Sequence, residues 1–109
     1  NTSDQAVSPA LNRIALSEKD SPERRLQIAR ELQVGDLVYI PGHVMMVIGQ
    51  IDGEPYVIHD TTGLSFTGAD GKTVRAKTNG VTVSPLTPLL FNGKQTYVDR
   101  MTNIQRIRP

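Results

Sequence analysis

The chain has 109 residues, 38% of them hydrophobic and 5% aromatic, with no cysteine and no tryptophan. Lys and Arg total 12 against 11 Asp and Glu, a net charge of +1, which argues against a nucleic-acid footprint and against a charged tail. The length fits one domain, 1–109, with a modest core; no apolar run approaches the roughly 20 residues of a membrane span, and zero cysteine excludes disulfides and thiolate metal sites.

Residues 1–8 (NTSDQAVS) are polar and turn-forming. No signal peptide is visible. The start at Asn1 rather than Met leads to the expectation that a preceding segment was removed. Thr2 and Ser3 are not N-terminal, so an N-terminal-nucleophile mechanism has no support. Ser8-Pro9 opens ALNRIAL, a helical turn or short strand with Leu11, Ile14 and Leu16 as its apolar positions.

The pattern predicts a helix over 21–32. Ser21 suits the N-cap, Pro22 the first helical position and Glu23 the positive end of the dipole. Leu26, Ile28, Ala29 and Leu32 supply its apolar positions. Gly35 is expected to end it in the left-handed conformation.

Strands follow: 36–40, broken by Pro41-Gly42; 43–49, with VMMVI at its centre; and 55–60, with YVIH. Residues 61–79 read as a long loop with one weak hairpin around Asp70-Gly71, and such loops often shape function. Residues 81–84 form a fourth strand closed by Pro85. Residues 86–91 are short and apolar, and Asn92-Gly93 is a turn. Alternation over 96–107 predicts one long or bulged strand. Arg100, Arg106 and Arg108 fit a solvated strand edge. A helix followed by consecutive strands gives an α+β fold with an antiparallel sheet.

Both histidines, His43 and His59, flank the hairpin at 43–60, and its register decides whether they meet. A two-residue turn at Asp52-Gly53 pairs Ile51 with Glu54. It puts His43 on one face with Asp60 and sends His59 to the other. A three-residue loop, Ile51-Asp52-Gly53, places Met45 opposite His59 and both histidines on one face. The rings are then diagonal neighbours, roughly 7–8 Å apart between backbones. The three-residue loop is the favoured reading, because a left-handed Gly53 suits a bulge there. A slip of one residue would reverse the result.

Two such rings suit general-base chemistry, in which one imidazole takes a proton from a nucleophile while a third group fixes its tautomer. His43 is the candidate base and His59 the candidate orienter, with Asp60 as the alternative orienter. On spacing alone, two ordinary sheet histidines explain the pattern as well. A metal site of His43, His59, Asp60 and Asp36 lacks any short His-His spacing to support it, and no cofactor is implied. Met45-Met46 reads as core filling.

The stretch LQVGDLVYIPGHVMMVIGQIDGEPYVIHD resembles the second half of the NlpC-type cell-wall peptidases, which are papain-like cysteine hydrolases. Three elements carry the resemblance in order: Gly35-Asp36-Leu37; His43-Val44-Met45-Met46-Val47-Ile48-Gly49; and Val57-Ile58-His59. The opening NTSDQ resembles the polar loop after the family's nucleophile helix. The likeness covers residues 1–60 well and the later strands loosely.

The resemblance implies a papain-like half-barrel with His43 as base and His59 as orienter. It also implies a bacterial cysteine endopeptidase or amidase that cuts peptidoglycan stem peptides, in the γ-D-glutamyl linkage class, in the cell envelope, periplasm or outside the cell. The family's nucleophile is a cysteine on a helix that would precede Asn1, and that helix also supplies part of the oxyanion hole. A Cys-bearing N-terminal segment or chain is therefore the expected partner, and this chain alone is expected to be inactive. Two other readings stay open: a Cys-less module that binds cell-wall peptides without cutting them, and a metal-dependent hydrolase.

Overall fold

The computed structural model describes residues 12–107. The polar start 1–8, Leu11 and Arg108 lie outside them. Among the described residues the chain forms an antiparallel sheet of six strands with one α-helix. The α+β expectation holds at that level.

In chain order the elements are β1 (Arg13–Ala15), α1 (Pro22–Arg30), β2 (Asp36–Ile40), β3 (His43–Ile51), β4 (Glu54–Thr67), β5 (Thr73–Pro85), a 3-10 turn (Val98–Arg100) and β6 (Asn103–Arg106). The sheet order is β1-β6-β2-β3-β4-β5. The final strand thus slots between the first two, and the histidine strands lie towards the other side.

Helix α1 begins as its residues dictate. Ser21 Oγ accepts from the Arg24 N–H at 3.1 Å, and Pro22 opens the first turn. Its C-terminal end departs from expectation. Glu31, in a right-handed conformation, is the C-cap, and Gln50 donates from β3 to the carbonyls of Arg30 and Leu32. A side chain thus satisfies carbonyls that a left-handed glycine often serves. Gly35 does have φ +92°, but it turns the chain into β2, where its N–H meets Val47 O at 2.8 Å.

The inner face of the sheet buries Val38, Ile40, Met45, Val47 and Val57 against Ile28, Ala29 and Leu32 from the helical segment. Each such large side chain contributes about 1.5–3 kcal/mol. Val98, Met101 and Ile104 complete this core from the last segment. Arg25 is also buried. It bonds the carbonyls of Ser17, Val98 and Met101, tying the helix to the 3-10 turn.

Two stretches differ from expectation. Residues 61–79 are mostly strand: β4 and β5 run on as a long hairpin around Asp70-Gly71, pairing Leu64 with Ala76 and Phe66 with Val74. Their Gly and Thr content hid this alternation. Residues 96–107 are not one strand. Thr96 and Asp99 exchange hydrogen bonds, with Asp99 accepting from the Thr96 N–H and Thr96 Oγ1 from the Asp99 N–H, which winds the chain into the 3-10 turn before β6. Arg100 stacks on Phe91 at 4.4 Å, and Arg106 lies 3.4 Å from the buried Asp36 carboxylate. Neither is a plain solvated edge residue.

A candidate catalytic histidine pair

Two turns and a bulge place the histidines. Pro41-Gly42 joins β2 to β3, with Gly42 at φ +75° and Ile40 paired with His43. That combination is a type II signature. It delivers His43 at the first position of β3, at the mouth of the strand.

The β3–β4 connection is the two-residue turn, not the three-residue loop. Ile51 pairs with Glu54, and Asp52 and Gly53 have φ +51° and +82°. Such a turn suits the twist of a hairpin. By itself it would part the histidines. A bulge between Val47 and Gly49 then shifts the register by one, giving Val47 opposite Val57 and Met46 opposite Ile58. One step on, Met45 stands opposite His59. The extra residue expected in the loop sits at Ile48 instead, and both rings reach the inner face.

There they touch. His43 Nε2 lies 2.8 Å from His59 Nδ1, with ring centroids 5.0 Å apart. The other ring nitrogen of His59, Nε2, lies 2.9 Å from Ser84 Oγ. His59 is buried and His43 half-buried. Among the described residues Nδ1 of His43 has no hydrogen-bond partner. Tyr97 closes the inner side of the pair, its ring 6.2 Å from His43 and 6.4 Å from His59, edge-on to both.

His43 opens onto a cleft of about 320 Å³ lined by Pro41, Thr61, Ser65, Phe91 and Tyr97. A second, more open hollow of about 470 Å³ lies beside it, between Tyr39, Gly42, Val44 and Asp60. That hollow leads onto the outer face of the sheet, where Val44, Met46, Val81 and Val83 are exposed. Met46 therefore does not fill the core, whereas Met45 does.

Asp60 is exposed and follows His59 on the strand, so it points to the opposite face. The ring in contact with His43 is that of His59. Asp36 is buried at the far end of β2, bonded to the Gln33 N–H. The four residues of the sequence-derived metal set are thus not brought together, and among the described residues no group of three or more His, Asp or Glu is placed to hold an ion. Among the described residues no helix is long and apolar enough to cross a membrane.

Burial lowers the pKa of both rings from the ordinary 6.5; the charge of Asp60 opposes this at His43, and the neighbouring His43 adds to it at His59. Burial raises the Tyr97 phenol, which stays protonated at neutral pH. Both shifts favour the neutral rings, the form that general-base chemistry requires. A stability consequence follows from linkage. A histidine whose folded pKa is depressed contributes nothing extra above the unfolded value near 6.5. As pH falls below it, the unfolded chain takes up protons first and stability drops until the folded pKa is passed. Urea unfolding should show a flat midpoint from about pH 8 to 7 and a falling one from about pH 6.5 to 5. His59→Gln should flatten that fall, and an undiminished fall in this variant would contradict the assignment.

Sequence reasoning missed Ser84 and Tyr97. Ser84 became visible only through the β4–β5 register, where it pairs with Val57 and lies diagonal to His59. That register extends through the stretch read as loop. Tyr97 gave no signal, because its place depends on the Asn92-Gly93 turn and on its own N–H bonding Leu89 O at 2.9 Å. In comparisons with known proteins, no family model and no curated protein matches the chain.

Proposed function

We propose that this chain is the base-bearing portion of an NlpC-type, papain-like cysteine endopeptidase or amidase acting on peptidoglycan stem peptides in the bacterial cell envelope. The observation that carries the reading is the 2.8 Å contact between His43 Nε2 and His59 Nδ1. One ring is held through one nitrogen and left free at the other, which is the arrangement a general base needs.

In this reading the nucleophile is a cysteine supplied by an N-terminal segment or by a separate chain. That segment or chain brings its thiol to His43 at the mouth of β3, where the cleft at Pro41, Thr61 and Tyr97 and the hollow at Tyr39, Gly42 and Val44 adjoin the residue. The thiol proton passes to Nδ1 of His43, and the thiolate attacks the peptide carbonyl to form a carbon–sulfur bond. The imidazolium returns that proton to the leaving amine as the carbon–nitrogen bond breaks. Water then attacks the thioester and gives one proton to His43 as the carbon–sulfur bond breaks. The released thiolate recovers that proton or remains paired with the imidazolium. Throughout, His43 keeps its Nε2–H bonded to His59.

The test is to express the chain together with the segment encoded ahead of it and offer a stem peptide with a γ-D-glutamyl linkage. Thiol-dependent cleavage, blocked by iodoacetamide, is the expected result. An intact reading frame without a cysteine, in a protein that binds the peptide and leaves it whole, would establish the second reading, a binding module. The absence of cysteine from these 109 residues is what favours that second reading.

A further inference from the structure

We infer that Ser84 is a positioning residue whose hydroxyl, by accepting the Nε2–H of His59, sustains that tautomer and, through His59, leaves Nδ1 of His43 free to accept a proton. The role assigned to Ser84 rests on the base function proposed for His43.

The three side chains form one diagonal line across three neighbouring strands. His59 on β4 stands opposite Thr82 on β5 and, by continuation of the register, opposite Met45 on β3. His43 lies two residues before Met45, and Ser84 two residues after Thr82. Because β3 and β5 both run antiparallel to β4, these offsets point in opposite directions. The line therefore runs straight: His43, His59, Ser84. Its two links are 2.8 Å and 2.9 Å. Ser84 and His59 are both buried.

Each link holds one proton, and the two protons must run the same way. If Nδ1 of His43 is a lone pair, the ring proton of His43 sits on Nε2 and is donated to Nδ1 of His59. The His59 proton then sits on Nε2 and is donated to Ser84 Oγ. In the reverse arrangement Ser84 donates to His59 Nε2 and His59 donates from Nδ1 to His43. His43 then carries its proton on Nδ1, where it can only donate. Ser84 as acceptor thus gives a base, and Ser84 as donor gives a blocked one. Without the hydroxyl, a protonated Nε2 of His59 is a buried donor with no acceptor, an arrangement that is costly to leave unmade. Moving the His59 proton to Nδ1 relieves it and blocks His43.

Long-range nitrogen–proton correlation spectra of the imidazoles, recorded on this chain at about pH 8, read both tautomers directly. The unsubstituted chain should show both rings protonated at Nε2. Ser84→Ala should lower the ratio of Nε2–H to Nδ1–H at His59 at least tenfold, and His43 should follow. Ser84→Thr keeps the hydroxyl and should restore the ratio, whereas Ser84→Val, isosteric with the threonine variant, should not. The Thr and Val pair separates the hydroxyl from any packing effect, should the alanine variant fail to fold. An unchanged ratio in Ser84→Val, or a His59 protonated at Nδ1 in the unsubstituted chain, overturns the inference. The spectra need neither thiol nor substrate. A protein with the expected tautomers but no cleavage would overturn the peptidase reading and leave the role of Ser84 in setting the tautomer intact.

Discussion

His43→Ala, in the chain joined to the proposed cysteine-bearing segment, should lower stem-peptide turnover by roughly 10²–10⁴, the usual contribution of a positioned acid–base group. The loss should fall on kcat with KM little changed, because His43 meets the reacting atoms and contributes little to ground-state binding. His59→Ala should cost less, since it removes the support of Nε2 and leaves the base itself. His59→Gln should recover part of that loss, because an amide oxygen can accept the Nε2–H of His43. Steady-state kinetics on the three variants test the order. Turnover by His43→Ala equal to that of the parent would eliminate the proposed mechanism.

Arg25→Ala should be the most damaging change away from the histidines. The guanidinium bonds Val98 O at 3.0 Å, Met101 O at 2.9 Å and Ser17 O at 2.8 Å. Bonds of this kind contribute about 1.5–3 kcal/mol each, and the contributions are not additive. A total loss of about 3–5 kcal/mol is expected, against the roughly 5–15 kcal/mol that holds a small domain together. Arg25→Met separates the causes. It retains most of the buried aliphatic volume and abandons the carbonyls, so a loss close to that of alanine assigns the effect to hydrogen bonding. The urea midpoint should fall with an unchanged m-value. A loss below about 1 kcal/mol in Arg25→Met would mean that packing, not the carbonyl bonds, holds α1 to the 3-10 turn. Tyr97 adjoins that turn, so the damage should also reach the wall of the histidine pair.

The parts of this fold legible in the sequence are those set by neighbouring residues. Ser21, Pro22 and Glu23 announced α1, and Pro41-Gly42 marked the boundary between β2 and β3. The parts that were not legible depend on partners far along the chain. Gly and Thr residues over 61–79 resemble loop composition, and only the cross-strand partners of Leu64 and Phe66 make them strand. Alternation over 96–107 gave a strand pattern, but the Thr96–Asp99 exchange overrides it locally. The three-residue loop read from the sequence and the observed bulge bring His43 to His59 alike, although the extra residue is Ile48 and not Ile51. Pairing rules specify how many residues are extra in a hairpin; side-chain packing specifies where. Ser84 is not legible in the sequence because its relation to His59 passes through the β4–β5 register, which no local signal specifies.

That odd residue at Ile48 behaves like a dislocation in a crystal lattice. Its presence is demanded by two boundary conditions: the tight Asp52-Gly53 turn at one end, and the facing histidines at the other. The fault can glide along β3 between Val47 and the turn without altering either ring, and at the turn itself it becomes the three-residue loop. It cannot be annihilated without rotating His43 out of reach of His59. Relocating the defect keeps both rings on one face, whereas deleting any one residue between His43 and His59 turns them to opposite faces.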